Sequence, residues 1–391
     1  MQPRKFITIS LSHFVVDAYA SIFSSLVAIV RMAPEQIGVL ATISSVSSSF
    51  TQLFFGYLSD RGALHGLVVG GIVASAVFLA AMSLFVGEQT ALFISVLILG
   101  GFGIAAFHPG AVVLASQTAG RLRGIGVSVF LMTGTLGFAI GPVLIEMYVR
   151  RWGVESLAYT AIPGLVVALA VWVILRGAIV APPKPENRAK LTEARQFLAQ
   201  YGGRILPIYI LVVIRNMQQV TLVSFLQRMM VELGHSDQTA AQSHTYFIFG
   251  GAVGMFIVGV LMARYSRRVI QMISLLGGVA CTMTFLLVEM PLPLAMAVLT
   301  AAGFLTLSTN SMHIVMGQEI APAYASTVSS LMMGFGWGLG GIGPFIVGLL
   351  SPYMELPQAL AVIAATPLLT VPFVFCLQSR PESSATDTQA T

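Results

Sequence analysis

The chain has 391 residues, of which 56% are hydrophobic and only 9% charged, against roughly 25% charged residues in soluble domains. With a mean hydropathy of +0.88, this composition excludes a water-soluble globular domain and points to a chain embedded in lipid. The formal net charge of +5 is no sign of nucleic-acid binding, because the basic residues fall in short connections between apolar stretches, the pattern that orients helices in a membrane.

Apolar stretches of about 20 residues, the length that crosses a bilayer, recur along the chain. The first six cover 6–30, 36–58, 66–86, 90–116, 124–149 and 156–177. Six more cover 204–231, 240–263, 268–288, 292–317, 325–350 and 356–377. Their continuous apolarity lacks the period-two alternation of a membrane barrel, so an all-α integral membrane fold with twelve spans is expected. Arg4 and Lys5 precede the first stretch as in a signal peptide, but the run continues to Val30, too long for one. It reads as an uncleaved first span.

That first span carries His13 and Asp17, four residues apart and therefore on one helix face. Asp17 lies about 17 Å into the span, near mid-bilayer. Tyr19, Ser21 and Ser24 add polar groups nearby. Ionisable residues are expensive at this depth and mark functional sites by default. The second span closes on "GYLSDRGALH" at 56–65. In the fourth, "GGFGIAAFHPGAVVL" sets His108 beside Pro109, which removes a backbone donor and predicts a kink or break. The fifth holds "GTLGFAIGP", whose Gly134, Gly137, Gly141 and Pro142 predict close helix packing or bending. Glu146 is expected near the outer interface, solvated.

Between the sixth and seventh spans, residues 178–203 form the longest polar connection, extended at its Pro-Pro-Lys-Pro start and with a short surface helix expected over 189–201. The seventh span then reads "VVIRNMQQVT", placing Arg215, Asn216, Gln218 and Gln219 at mid-depth. The tenth contributes Ser308, Asn310, Ser311 and His313, followed by Gln318 and Glu319, and the eleventh holds Gly343 and Pro344 in "GWGLGGIGP". The tail, 378–391, is rich in Ser, Thr, Asp and Glu, and is expected to be disordered. Cys281 and Cys376 lie in apolar segments with no zinc or redox spacing. The enzyme signatures HExxH, GxSxG and GxxxxGK[ST] are missing, so no enzyme, metal, cofactor or direct use of ATP is expected.

With the N-terminus inside, the inner connections hold 15 Lys and Arg residues and the outer ones only Arg31, Arg150, Arg151 and Arg228. The positive-inside rule then puts both termini and the 178–203 connection in the cytoplasm. The halves also look related. "GYLSDR" at 56–61 and "GVLMAR" at 259–264 lie 203 residues apart, while "GTLGFAIGP" and "GWGLGGIGP" lie 202 apart. Two anchors at nearly one offset indicate a duplicated six-helix bundle, 1–177 and 204–377, joined by the 178–203 linker. The same offset relates His13 to Arg215. A transport site at the midplane between such halves is the expected arrangement.

"GYLSDRGALH" resembles the signature loop of the major facilitator superfamily, G-x-L-[AS]-D-R-x-G-R-[RK], at Gly56, Leu58, Asp60 and Arg61, departing at Gly62, Ala63 and His65. The second copy keeps Gly259, Leu261 and Arg264 but has Ala263 for the aspartate. Gly56, Asp60, Arg61, Gly259 and Arg264 are thus expected to form a gate, the glycines allowing close helix approach. Gly137-x-x-x-Gly141-Pro142 resembles the fifth-span motif of proton antiporters in that superfamily, with Ile145–Glu146 replacing its final glycine pair. "SHFVVDAYASIFSSLVAIV", "FHPGAVVLASQTAG", the arginine of "VVIRNMQQVTLVSFL" and "VMGQEIAP" together look like the fosmidomycin-resistance branch, with Ser24 and Ser25 in place of its first-span prolines.

The resemblance implies a proton-coupled exporter of a small drug-like or anionic compound in a bacterial inner membrane; symport or uniport of a sugar or organic acid is the alternative. Asp17 is expected to carry the proton, helped by His13 and His108, because imidazole titrates near neutral pH. Tyr19, His108, Arg215, Asn216, Gln218, Asn310 and His313 are the substrate-binding candidates. Protonation of Asp17 is expected to release Arg215 from it. The expected partners are a small-molecule substrate, protons and the lipid bilayer, with no nucleic acid, and the chain is expected to be a monomer.

Overall fold

A computed structural model describes residues 2–59, 64–86, 90–120, 123–176, 191–262, 264–321, 328 and 331–378. Among these residues there is no strand, and twelve helices are long and apolar enough to cross a membrane. In the first half the spans are Pro3–Ile29, Pro34–Gly56, Leu64–Leu84, Thr90–Ala119, Val129–Trp152 and Glu155–Leu175. The second half has Gln196–Glu232, Asp237–Leu261, Arg267–Leu287, Leu292–Ile320, Leu331–Leu350 and Leu356–Val374. Every apolar stretch of the sequence is therefore a span. The surface helix expected over 189–201 is instead the start of one helix of 42 residues, Leu191–Glu232, which passes through Pro207 into the seventh span. The 378–391 tail lies outside the described residues beyond Gln378.

Proline does not break these helices. The fourth span is continuous through Pro109, and the helix Arg123–Trp152 through Pro142. In a tightly packed bundle, neighbouring polar groups take over the backbone partners that a proline disturbs. The carbonyl left without its helical donor is that of Ala105, while the His108 ring donates from Nδ1 to the Ile104 carbonyl at 2.8 Å. Interruptions fall elsewhere. The first span is divided at Ser21, between Pro3–Ala20 and Ile22–Ile29. The tenth is divided at Thr309, between Leu292–Ser308 and Asn310–Ile320. In the eleventh, a π-helical turn at Leu331–Phe335 precedes Gly336–Gly340, and Gly341 separates that segment from Ile342–Leu350.

Lipid offers apolar surface as good as a leucine, so close packing of small residues must hold the helices together. A Cβ on Gly137 would lie 2.0 Å from the Phe14 carbonyl oxygen, and one on Gly303 would lie 1.9 Å from that of Phe247. Both glycines let backbones touch. Gly141 packs on Ser21 and Ala18 of the first span, and Gly343 on Thr221 and Met217 of the seventh, equivalent contacts in the two halves. The outer face carries exposed apolar side chains such as Ile7, Val166, Leu169, Phe256, Val260 and Leu369, as suits a lipid-facing surface.

The halves meet mainly at the end of the bundle remote from the chain termini. There Thr42 donates to the Gly341 carbonyl at 2.6 Å, Ser45 to that of Trp337 at 3.0 Å and Thr245 to that of Ala139 at 2.6 Å. Gln227 reaches Ser24 at 3.2 Å. Arg31, held at a positive φ of 57°, pairs with Asp237 at 3.1 Å. Nearer the termini, Phe50 and Phe335 of the second and eleventh spans stack edge to face.

Candidate functional site

Two polar clusters sit at equivalent places in the two halves. In the first, the i,i+4 spacing brings His13 Nε2 to 3.3 Å from Asp17 Oδ2. The fourth span then delivers His108 Nε2 to 3.2 Å from Asp17 Oδ1. One carboxylate thus faces two imidazoles. Both rings have their other nitrogen committed: His13 Nδ1 donates to the Phe130 carbonyl at 2.7 Å and His108 Nδ1 to that of Ile104. A backbone carbonyl only accepts, so each Nδ1 keeps its hydrogen and each Nε2 is a lone pair unless its ring is protonated. His13 is also stacked on Phe130, with centroids 4.1 Å apart. Gly134 leaves the space for this arrangement, since a Cβ there would lie 2.3 Å from His13 Nε2 and 2.6 Å from Asp17 Oδ2.

Proton counting then defines what this cluster can do. Each Nε2···O contact is a hydrogen bond only with one proton in it. Two protons satisfy both contacts, and one leaves a lone pair facing a lone pair. Between the fully deprotonated state and the two-proton state, the cluster's charge runs from −1 to +1. The three ligand atoms lie within 4.8 Å of one another, so the same donor set could also hold a metal ion.

In the second half, Arg215 Nη1 donates to Gln219 Oε1 at 3.3 Å, and Nη2 to Asn216 Oδ1 at 2.8 Å and Asn310 Oδ1 at 2.9 Å. Arg215, Gln219 and Asn310 each follow His13, Asp17 and His108 by 202 residues. The duplicated scaffold therefore holds a titratable triad on one side and a fixed cation with amide partners on the other. The sequence offset was applied above to His13 alone; applied to Asp17 and His108 it finds the other two pairs.

Asp17 and Arg215 are not paired, which corrects the expected release of one from the other. Asp17 is satisfied within its own half, and no carboxylate among the described residues pairs with Arg215. Tyr19 does not join the cluster either. Its hydroxyl donates to the Thr160 carbonyl and accepts from Gly164 N at 3.1 Å, anchoring the first span to the sixth. His313 is fully buried, with Nε2 at 2.8 Å from Gln271 Oε1, and Gln218 bonds Thr282 at 3.3 Å; both are tied inside the second half.

Glu146 is buried, with one oxygen 3.6 Å from Arg150, and is not the solvated group expected. The close approach expected at the gate glycines is missing too. Among the described residues, a Cβ on Gly56 would come no nearer than 3.8 Å to Pro109, and one on Gly259 would meet nothing within 4 Å. Asp60 and Arg61 lie outside the described residues, and Arg264 is exposed.

Two features had no clear signal in the sequence. His244, fully buried in the eighth span, donates from Nε2 to the Phe138 carbonyl of the other half at 3.1 Å. Arg267 grips Glu319 with both Nη atoms, at 2.6 and 2.9 Å. Neither contact follows a local spacing.

A family model described as Major Facilitator Superfamily matches residues 6–344 and again 208–390. The chain belongs to this superfamily. It is accordingly an integral membrane transporter of small molecules and not an enzyme. Among curated proteins, this superfamily member is similar to the fosmidomycin resistance protein of Escherichia coli (strain K12), at 24% identity over 95% of this chain and 92% of that one. Among solved structures it is similar to a nucleoside transporter, at 14% identity and TM-score 0.77 over 96% of this chain and 100% of that one. It is also similar to a D-xylose–proton symporter, at 14% identity and TM-score 0.75, over 97% and 98% of the two chains. At that identity the two structures speak for the fold alone.

Proposed function

We propose that this transporter is a proton-coupled exporter of small compounds bearing an acidic group, working as a monomer in a bacterial inner membrane with both termini cytoplasmic. The observation that carries the reading is the shared carboxylate between two imidazoles whose Nδ1 atoms are fixed by backbone carbonyls. Deprotonated, this cluster presents only acceptors. A substrate's N–H or O–H groups then take the places of the protons, while its acidic group is drawn by Arg215. Protons and substrate compete for the same atoms, which is the linkage an antiporter needs. Rocking of the two halves about the clusters alternates access, with the 56–61 segment and Arg264 as the gate at the terminal end. The similarity to a fosmidomycin resistance protein supports the outward direction.

Symport is the second reading, and the charge arithmetic favours it. Protonation takes the cluster to +1 and would strengthen binding of an acid by attraction alone. The two readings predict opposite signs. With radiolabelled fosmidomycin and a panel of small organic acids as probes, antiport requires affinity to fall as pH is lowered, and symport requires it to rise. For either, Asp17→Asn should abolish accumulation driven by a pH gradient in membrane vesicles while substrate counterflow persists, weakened by the loss of one acceptor oxygen. Unchanged gradient-driven accumulation in that variant removes Asp17 from proton coupling. Repeating the assay with a metal chelator separates protons from a bound cation.

A further inference from the structure

Arg215 also lines a small, partly open cavity between the seventh, ninth, tenth and twelfth spans, about 20 Å³ in volume, room for one water-sized occupant. Its polar wall includes Gln218, Gln271, Ser274, Thr306 and Thr309, with no carboxylate. Three buried atoms of these lining residues, Arg215 Nε, Thr306 Oγ1 and Thr309 Oγ1, have no hydrogen-bond partner among the described residues. All three can donate. These hydroxyls, like those of Ser10 and Ser311, are exceptions in this chain. Thr118, Thr221, Ser224 and Thr300 turn theirs onto the carbonyl four residues back, whereas Thr306 and Thr309 do not. The span is interrupted at Thr309 itself.

Charge makes the same demand as the hydroxyls. A guanidinium out of water is strongly unfavourable without a counter-charge, and the Gln219, Asn216 and Asn310 oxygens supply dipoles only. Arg267, buried to the same degree, has the Glu319 carboxylate. Arg215 has no such partner among the described residues.

We propose that this cavity is a binding site for a monatomic anion such as chloride, held by the Arg215 Nε–H and the Thr306 and Thr309 hydroxyls. Water would satisfy the hydroxyls but leave the charge uncompensated, and a monatomic anion is the charged occupant that needs no more than the space of one water-sized group. The site shares Arg215 with the substrate reading above but does not involve Asp17; its test reads halide binding and not transport, so its failure leaves that reading standing.

The test uses the purified full-length protein in chloride-free gluconate buffer. Its thermal unfolding is followed as chloride, bromide or sulfate is added at constant ionic strength. A saturable rise in Tm is expected with both halides and not with sulfate, and the Thr306→Val/Thr309→Val double variant should lose it. Crystals of the wild-type protein grown in bromide should show an anomalous peak inside the cavity, a readout that does not depend on the variant folding. A Tm that responds to all three salts alike, no anomalous peak, or a halide response unchanged in the double variant would each overturn the proposal in favour of a bound water.

Discussion

Gly134→Ala probes the titratable cluster without touching a titratable group. The new Cβ would lie 2.3 Å from His13 Nε2 and 2.6 Å from Asp17 Oδ2, where ordinary contact begins at 3.4 Å. The ring must therefore retreat by about 1 Å, a distance comparable to the overlap. It is not free to do so, because Nδ1 is held at 2.7 Å by the Phe130 carbonyl and the ring is stacked on Phe130. A retreat of that size takes the Nδ1 bond out of hydrogen-bond range. Overpacking costs about 1–3 kcal/mol and the lost bond about 1 kcal/mol, offset by about 0.5–1 kcal/mol from replacing a mid-helix glycine. The net is about 2 kcal/mol, or roughly 30-fold in an equilibrium. The expected outcome is a folded protein whose fosmidomycin accumulation at a fixed pH gradient falls by at least tenfold, with counterflow much less affected. Gly70→Ala, a mid-helix position where nothing among the described residues lies within 4 Å, is the matched control and should behave as wild type. Wild-type gradient-driven transport in Gly134→Ala would refute the claim that the His13–Asp17 geometry matters.

The contacts between halves predict a conformational effect. Thr245→Val removes the 2.6 Å bond to the Ala139 carbonyl and should shift the population away from this conformation by about 1 kcal/mol, roughly fivefold. Inter-spin distances across the fifth and eighth spans would report it, and an unchanged distribution would count against a latch. Glu319→Gln removes the only carboxylate paired with the buried Arg267 among the described residues. Because the glutamate is itself 39% exposed, a loss of about 1–3 kcal/mol is expected, below the value for a fully buried pair. A thermal melt should show a lowered Tm, and an unchanged Tm would mean that solvent already compensates the guanidinium.

Much of this molecule is legible in one dimension. Span length, span number and the duplication follow from apolarity and from offsets between motifs, because a bilayer of fixed thickness leaves a helix few alternatives. The i,i+4 pairing of His13 and Asp17 follows from helix geometry alone. What was misread has a common cause. Pro109 looked like a break, but the fourth span is packed closely against its neighbours and stays helical through it. Tyr19 looked like a ligand, yet its hydroxyl serves the sixth span, 141 residues further on. The gate glycines looked like close contacts, and among the described residues none approaches them closely.

The sequence by itself thus determined the solvent, the fold and the depth at which Asp17 and Arg215 lie, since each depends on local apolarity or a fixed rise per residue. Only the tertiary structure decided their partners. His108 comes to Asp17 from another helix, and Asn310 to Arg215 from another. Which nitrogen of each histidine is free depends on a backbone carbonyl that no spacing announces. The expected Asp17–Arg215 pair gave way because each group is served inside its own half, where packed neighbours meet it without spanning the transport route.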